Sequence, residues 1–117
     1  MGNYRKLYVW QESMELAEEI YKLTTNGKLA NDFGLRNQLQ RAAVSIPSNI
    51  AEGDELGTNK NGNRHFYITK GSAAEVVTQV LLAKRIGYLD ETVANSITEK
   101  GSKIGAMLNK LIKARGG

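Results

Sequence analysis

The clearest feature of the sequence is an apolar stripe that runs through Pro47, the single proline of the chain. The apolar residues recur at spacings of three and four, which predicts one buried helix face on both sides of the proline. They are Leu35, Leu39, Ala42, Ala43, Ile46 and Ile50. Because proline has no amide hydrogen for the bond to Ala43 and its ring crowds that carbonyl, either one helix bends here or two short helices meet. We therefore expect a helix over about 32–52 that is kinked at Pro47.

Three further segments carry the helical period, at about 7–24, 59–86 and 90–114. In the first of them one apolar stripe is formed by Leu7, Trp10, Met14, Ala17 and Tyr21, and it is widened by Leu16, Ile20 and Leu23. The valine and isoleucine content of the 59–86 segment favours a strand, but that segment is too long and its period is not two. Small residues at its centre, over 71–74, would let another helix approach closely. The pattern predicts a single all-α domain, 1–117, folded as an antiparallel up-down-up-down four-helix bundle.

Polar residues and glycines mark the expected ends of the first two helices. Asn26 and Gly27 predict a turn, and either Asn31 or Asp32 is placed to cap the second helix. Gly53 follows the last residue of the apolar stripe, so the second helix is expected to stop there.

The longest loop is expected over 54–63, where glycine, asparagine, threonine and lysine replace the periodic pattern. The third helix is expected to begin near Thr58 or Asn59. Gly87 is expected to end it, and Asp90 is placed to cap the fourth helix.

Composition narrows the class of protein. The chain has 117 residues and no cysteine, so it has no disulfide framework and no zinc-thiolate site. The amino-terminal residues lack the apolar run of a signal peptide, and no stretch approaches the length of a membrane span. We therefore expect a cytoplasmic protein without contact to a membrane.

Charge is distributed unevenly along the chain, which has sixteen Lys and Arg residues against twelve Asp and Glu residues. The first helix carries a cluster of acids at Glu12, Glu15, Glu18 and Glu19. The runs 56–74 and 100–117 contain lysines and arginines without any acid. This polarity favours a nucleic-acid partner, or else contacts between acidic and basic faces of neighbouring subunits. Ordinary solvated lysines are the simpler interpretation for one subunit, whereas an oligomer would multiply the basic patch.

Few residues of the chain could act in catalysis or bind a metal. His65 is the single histidine, so neither a repeated Glu-x-x-His metal site nor a Cys-His pair can be built, and a surface or helix-end position is expected for it. Glu52 and Glu75 stand among apolar residues, which predicts a buried ion pair with Arg36 or Arg41. We expect neither an enzyme nor a bound metal or cofactor.

The chain resembles the four-helix bundle protein family, also called the large-subunit ribosomal RNA intervening-sequence proteins. The matching segments cover most of the chain up to Leu89, and the fourth helix matches in pattern alone. They are Val9-Trp10-Gln11, Glu15-Leu16-Ala17, 20–24, Phe33-Gly34-Leu35, 38–53, 71–75, Gln79, Ala83 and Gly87-Tyr88-Leu89. The chain departs from the family at Lys28-Leu29-Ala30, at Glu55-Leu56 and at Asn61-Gly62, so a loop arginine contact of the family is not carried over.

The resemblance implies a left-handed antiparallel bundle that assembles as a ring, commonly a homopentamer, and that has no known catalytic activity. Related bundles act as accessory variability proteins of diversity-generating retroelements, where they bind a reverse transcriptase and its template RNA or DNA. We therefore expect a non-enzymatic homo-oligomer that binds RNA or DNA, as an accessory to a reverse transcriptase. The alternative is a protein-binding scaffold without a nucleic-acid function. The expected phosphate contacts are Lys60, Arg64, Lys70, Lys84, Arg85, Lys100, Lys103, Lys110 and Lys113.

Overall fold

A computed structural model describes residues 3–57 and 59–117 of the chain. Over these residues the protein is helical and has no strand, which confirms the all-α prediction. After a short 3-10 helix at Tyr4–Lys6, the elements are α1 (Tyr8–Thr24), α2 (Gly27–Asn31), α3 (Phe33–Glu55), α4 (Asn59–Arg85) and α5 (Glu91–Ala114). The four long helices correspond to the four predicted segments, whereas the short α2 was not predicted.

Two aspartates begin the helices that they were predicted to cap. An Asp32 carboxylate oxygen accepts a hydrogen bond from the Leu35 amide at 3.1 Å, and Asp90 accepts one from the Val93 amide at 2.8 Å. The second Asp32 oxygen accepts a hydrogen bond from the Tyr88 hydroxyl at 3.0 Å, which ties the start of α3 to the corner between α4 and α5. This hydrogen bond, with smaller contributions from burial and from the Asp32 charge, raises the pKa of Tyr88.

Neighbouring long helices make their contacts in reverse order along the chain. Between α3 and α4, hydrogen bonds join Gln38 to Gln79, Ser45 to Ser72 and Asn49 to His65. Helix α5 packs against both α4 and α1, and α1 also packs against α3. The start of α4 and the end of α5 consequently meet, and we call the part of the bundle formed by 59–64 and 110–117 the Arg115 end.

Helix α3 continues through Pro47 as one helix, so two separate short helices are not formed there. Pro47 is buried, and the apolar stripe that precedes and follows it lies in the core. Of the stripe, Leu35 is half-buried, and the buried members are Leu39, Ala42, Ala43, Ile46 and Ile50. The stripe thus packs as the period of the sequence predicts.

The predicted end of the second helix at Gly53 is wrong, and so is the long loop over 54–63. A Cβ atom on Gly53 would lie 2.8 Å from the Gly62 carbonyl oxygen, and one on Gly62 would lie 2.7 Å from the Gly53 carbonyl oxygen. The two glycines therefore allow the backbones of α3 and α4 to touch inside regular helix. The turn comes later, at Gly57, which has a φ of +68°. Helix α4 begins at Asn59 as predicted, and the alternative start at Thr58 lies outside the described residues.

The small residues at the centre of α4 divide between two surfaces. Ser72 and Ala73 are buried, whereas Gly71 and Ala74 are exposed. A Cβ atom on Gly71 would have no neighbour within 4 Å. The close approach to α5 is made at Gly101, where a Cβ atom would lie 2.5 Å from a methyl carbon of Val77 and 3.9 Å from the Ala73 carbonyl oxygen. Among the described helices, none is long and apolar enough to cross a membrane.

Candidate nucleic-acid interface

Three of the nine predicted phosphate contacts are ion-paired within the chain. Lys103 donates to Glu12 at 2.9 Å, and Lys100 pairs with Glu19, so the acidic helix α1 and the basic helix α5 neutralise each other in part. Part of the opposite polarity of α1 and α5 is therefore used inside the chain. At the corner between α4 and α5, Lys84 lies 3.5 Å from Glu91.

Five other predicted contacts lie on the solvent side of α4 and α5, four of them exposed and Lys70 half-buried. We call them the basic face: Lys60, Arg64, Lys70, Lys110 and Lys113. Because α4 and α5 run in opposite directions, the acid-free run 56–74 lies beside the acid-free run 100–117. The side-chain amide of Asn63 marks this alignment, since it lies 3.3 Å from the Arg115 carbonyl oxygen and 3.5 Å from that of Ile112. The ninth predicted contact, Arg85, is exposed at the last residue of α4, away from the basic face.

A buried ion pair holds the Arg115 end together. The Arg115 guanidinium donates to Asp54 at 2.6 Å and lies over the ring of Phe66, and the Asp54 side chain is 4% exposed. The second Asp54 oxygen and the Asn63 side-chain oxygen are buried without a hydrogen-bond partner among residues 3–57 and 59–117. The pair attaches the last turn of α5 to the last turn of α3, which fixes where Lys110 and Lys113 stand.

The prediction of a buried ion pair at Glu52 or Glu75 is wrong. The Glu52 side chain is 64% exposed and lies 3.7 Å from His65, while Glu75 is exposed on α4. The period of α3 explains this result, because Asp54 follows Ile50 by four residues and continues its buried face once the helix passes Gly53.

His65 is half-buried between α3 and α4 rather than at the surface. Its Nδ1 atom lies 2.9 Å from the Asn49 side-chain oxygen, and the same asparagine donates to the Ser45 hydroxyl at 3.0 Å. Since the Ser45 hydroxyl also bonds to that of Ser72, these side chains form a continuous polar seam between the two helices. Their hydrogen bonds are directed at one another, as in a structural network.

Tyr67 is a surface residue that the sequence reasoning did not select. Its side chain is 55% exposed, and the Lys70 ammonium lies 5.6 Å from the centre of its ring. It stands three residues after Arg64 and three before Lys70, so it projects from the middle of the basic face. The signal in the sequence was the adjacent pair Phe66 and Tyr67, since neighbouring positions on a helix point about 100° apart.

Two apolar surfaces are exposed, and one of them begins at Ile68 beside the basic face. A groove of about 440 Å³ runs between α1 and α3, and its lining residues are Tyr4, Trp10, Met14, Ala17, Glu18, Tyr21, Val44, Pro47, Ser48 and Ala51. Met14 and Tyr21, predicted to be buried, are exposed in this groove, because the buried face of α1 is centred on Leu16 and Ile20. The second surface, which we call the ridge, consists of the exposed side chains of Leu82 near the end of α4, of Ile86 just after it and of Ile68 about four turns before Leu82, with the exposed Glu75 between them.

Comparison with known proteins identifies similar sequences and structures. A model of the 23S rRNA-intervening sequence protein family matches residues 5–110. The chain is also similar to a crystal structure from Bacteroides thetaiotaomicron, of a protein with unknown function from the S23 ribosomal protein family. The two chains are 26% identical with a TM-score of 0.82, and the match covers 90% of this chain and 98% of that chain. Among curated proteins, none matches the chain with significance.

Proposed function

Since the chain belongs to the 23S rRNA-intervening sequence protein family, we propose that it is a non-enzymatic, self-associating helical bundle that binds RNA or DNA through the basic face. The observation that carries the proposal is the side-by-side placement of the two acid-free runs, 56–74 and 100–117. Placed together, they give the outer sides of α4 and α5 at this end cations without a carboxylate, while Glu52 and Glu55 are exposed on the neighbouring end of α3.

Phosphate binding requires several cations on one surface, each able to exchange its hydrating water for a phosphate oxygen. Each contact releases condensed counterions, so binding is strong at low salt and weakens as salt rises. The basic face offers five such cations, whereas Lys84, Lys100 and Lys103 would first have to leave their carboxylates. The contacts are to phosphates, so we expect little dependence on base sequence.

Charge reversal at two positions of the basic face tests the proposal. The double variant Lys60→Glu, Lys113→Glu is expected to bind a labelled RNA more weakly. The logarithm of its association constant should also fall less steeply with the logarithm of the salt concentration, with a slope smaller in magnitude by about 2. The measurement is fluorescence anisotropy over a series of salt concentrations. Lys22→Glu, Lys28→Glu is the matched control, because these two exposed lysines lie at the other end of the bundle and the net charge changes equally.

An equal loss of binding in both double variants would argue against the basic face. Absence of binding by the unmodified protein at low salt would instead favour the alternative function, a protein-binding scaffold without a nucleic-acid role. The specific observation behind that alternative is the apolar groove between α1 and α3.

The self-association in the proposal rests on the groove and the ridge, which lie on different helices. When one patch of a subunit binds a different patch of the next, the contacts repeat head to tail and close into a ring if the rotation allows. We propose that the ridge of one subunit packs in the groove of its neighbour. A homopentamer is the ring size that the family resemblance implies.

A charge placed on the ridge tests the assembly. Leu82→Glu is expected to convert the oligomer to a monomer of 12.9 kDa, because a carboxylate would be buried in an apolar contact. The molecular mass would be measured by light scattering after gel filtration. Ser96→Glu is the control, since it adds the same charge to an exposed position of α5 that belongs to neither apolar surface. A monomeric unmodified protein, or an oligomer that survives Leu82→Glu, would contradict this arrangement.

The finer architecture and the cellular setting are further parts of the proposal. The reversed contacts between neighbouring helices support an up-down-up-down bundle, and the missing amide hydrogen of Pro47 supports a kink in α3. We further propose a cytoplasmic location and a role as accessory to a reverse transcriptase, a role that the family resemblance implies. A reverse transcriptase gene next to the coding sequence would support that role.

A further inference from the structure

Tyr67 and Phe66 show how the sequence places one aromatic ring inside the bundle and the next outside. Phe66 is fully buried, whereas Tyr67 is 55% exposed. An exposed aromatic ring on a helix keeps apolar surface in contact with water, which is unfavourable unless another group covers it. Around this ring the nearest charged groups on α4 are Arg64 and Lys70, both cationic. The ring therefore stands where a negatively charged ligand would arrive.

Gly71 leaves one side of the Tyr67 ring uncovered. It follows Tyr67 by one helical turn, and side chains of a helix lean toward the amino terminus, so a larger residue at 71 would lie over Tyr67. Gly71 is exposed, and a Cβ atom there would have no neighbour within 4 Å. Glycine is an unfavourable residue in the middle of a helix, and here no packing contact requires it. What it provides is open space beside the ring.

We propose that Tyr67 is a stacking platform for an unpaired base, and that the protein therefore prefers single-stranded nucleic acid to duplex. The inference rests on the nucleic-acid binding proposed above and adds the class of ligand. Bases in a duplex are stacked on one another and cannot reach a surface ring, whereas bases of a single strand can turn outward and stack on an aromatic side chain.

The charges around Tyr67 fit such a ligand. Lys60 and Lys70 are separated by about 15 Å along the axis of α4, and Tyr67 lies between them. Lys110 and Lys113 extend the same charge on α5. A strand whose phosphates follow these cations would pass over the ring with its bases close enough to stack. Aromatic rings interleaved with cations are the usual composition of single-strand binding surfaces.

The test compares single-stranded RNA with a duplex of the same sequence, at one salt concentration, by fluorescence anisotropy. Tyr67→Ala is expected to weaken single-strand binding by roughly 5- to 150-fold and to leave duplex binding nearly unchanged. Tyr67→Phe is expected to keep the preference, because the ring remains. Gly71→Leu is expected to reduce it, because the leucine would cover the ring. Tyr8→Ala is the matched control, since Tyr8 is 75% exposed on α1 and is expected to show no effect.

Three results would overturn the inference, and they separate it from the proposed function. If the unmodified protein binds both RNAs equally and Tyr67→Ala changes neither, the stacking platform is wrong while the basic face stands. If the unmodified protein binds neither RNA, both ideas fail. If Tyr67→Ala changes the molecular mass of the assembly, Tyr67 belongs to a subunit contact instead.

Discussion

Replacing Arg115 with alanine is expected to lower the free energy of unfolding by about 3 kcal/mol, the lower end of the cost of breaking a buried ion pair. The reason is the Asp54 carboxylate, which is 4% exposed and would remain in the bundle without its partner, the guanidinium at 2.6 Å. The lower end applies because Arg115 itself is partly exposed. Urea unfolding followed by circular dichroism gives the measurement.

Lys84→Ala is the control for Arg115→Ala. It breaks the exposed contact with Glu91 at 3.5 Å, and the expected change is less than about 1 kcal/mol. The double variant Asp54→Asn, Arg115→Ala is expected to lose less than the sum of the single losses, because no buried charge is left unpaired. Equal small effects of Arg115→Ala and Lys84→Ala would show that the pair does not hold the carboxyl end of α5 in place.

Gly62→Ala is expected to destabilise the protein by roughly 1–3 kcal/mol through overpacking. The added methyl group would lie 2.7 Å from the Gly53 carbonyl oxygen, a backbone atom that cannot turn away as a side chain does. Helices α3 and α4 would have to separate near the Arg115 end. The measurement is again the free energy of unfolding.

Gly71→Ala on the same helix is the matched control for Gly62→Ala. Its methyl group would meet no atom within 4 Å, and alanine is the better helix former by about 1 kcal/mol, so this variant is expected to be more stable. The same substitution is thus expected to change the free energy of unfolding in opposite directions at two positions of α4. Stabilisation of similar size at both positions would mean that helix propensity and not the contact with Gly53 governs the result.

Both features matter for the candidate interface because they set its geometry. The Asp54–Arg115 pair fixes the end of α5, and the contact between Gly53 and Gly62 fixes the start of α4. The basic face lies on these two segments. A variant that loosens either contact is therefore expected to weaken nucleic-acid binding even though it removes no lysine of the basic face.

Local rules identified much of the secondary structure. Asp32 and Asp90 were predicted as caps from their position before apolar periodic segments, and each accepts the expected backbone hydrogen bond. Such bonds span three residues, so the sequence contains all the information that they need. The same holds for the buried stripe around Pro47, which depends on the helical period alone.

The glycines show where local rules fail. The pattern predicts a helix end at Gly53 and a loop that includes Gly62, because glycine is common in both places. Their actual use depends on a backbone that is distant in sequence from each. Because the predicted helix ended at Gly53, Asp54 fell in the predicted loop and was not identified as the buried acid.

The sequence by itself determined that this protein is all-α, where its long helices lie and which runs contain no acid. These properties follow from period, capping and composition, which are local. The tertiary structure decided which charges are available, because the antiparallel packing pairs Lys100 and Lys103 with the acids of α1 and places 56–74 beside 100–117. Such outcomes depend on distances between helices, and a one-dimensional pattern does not contain those distances.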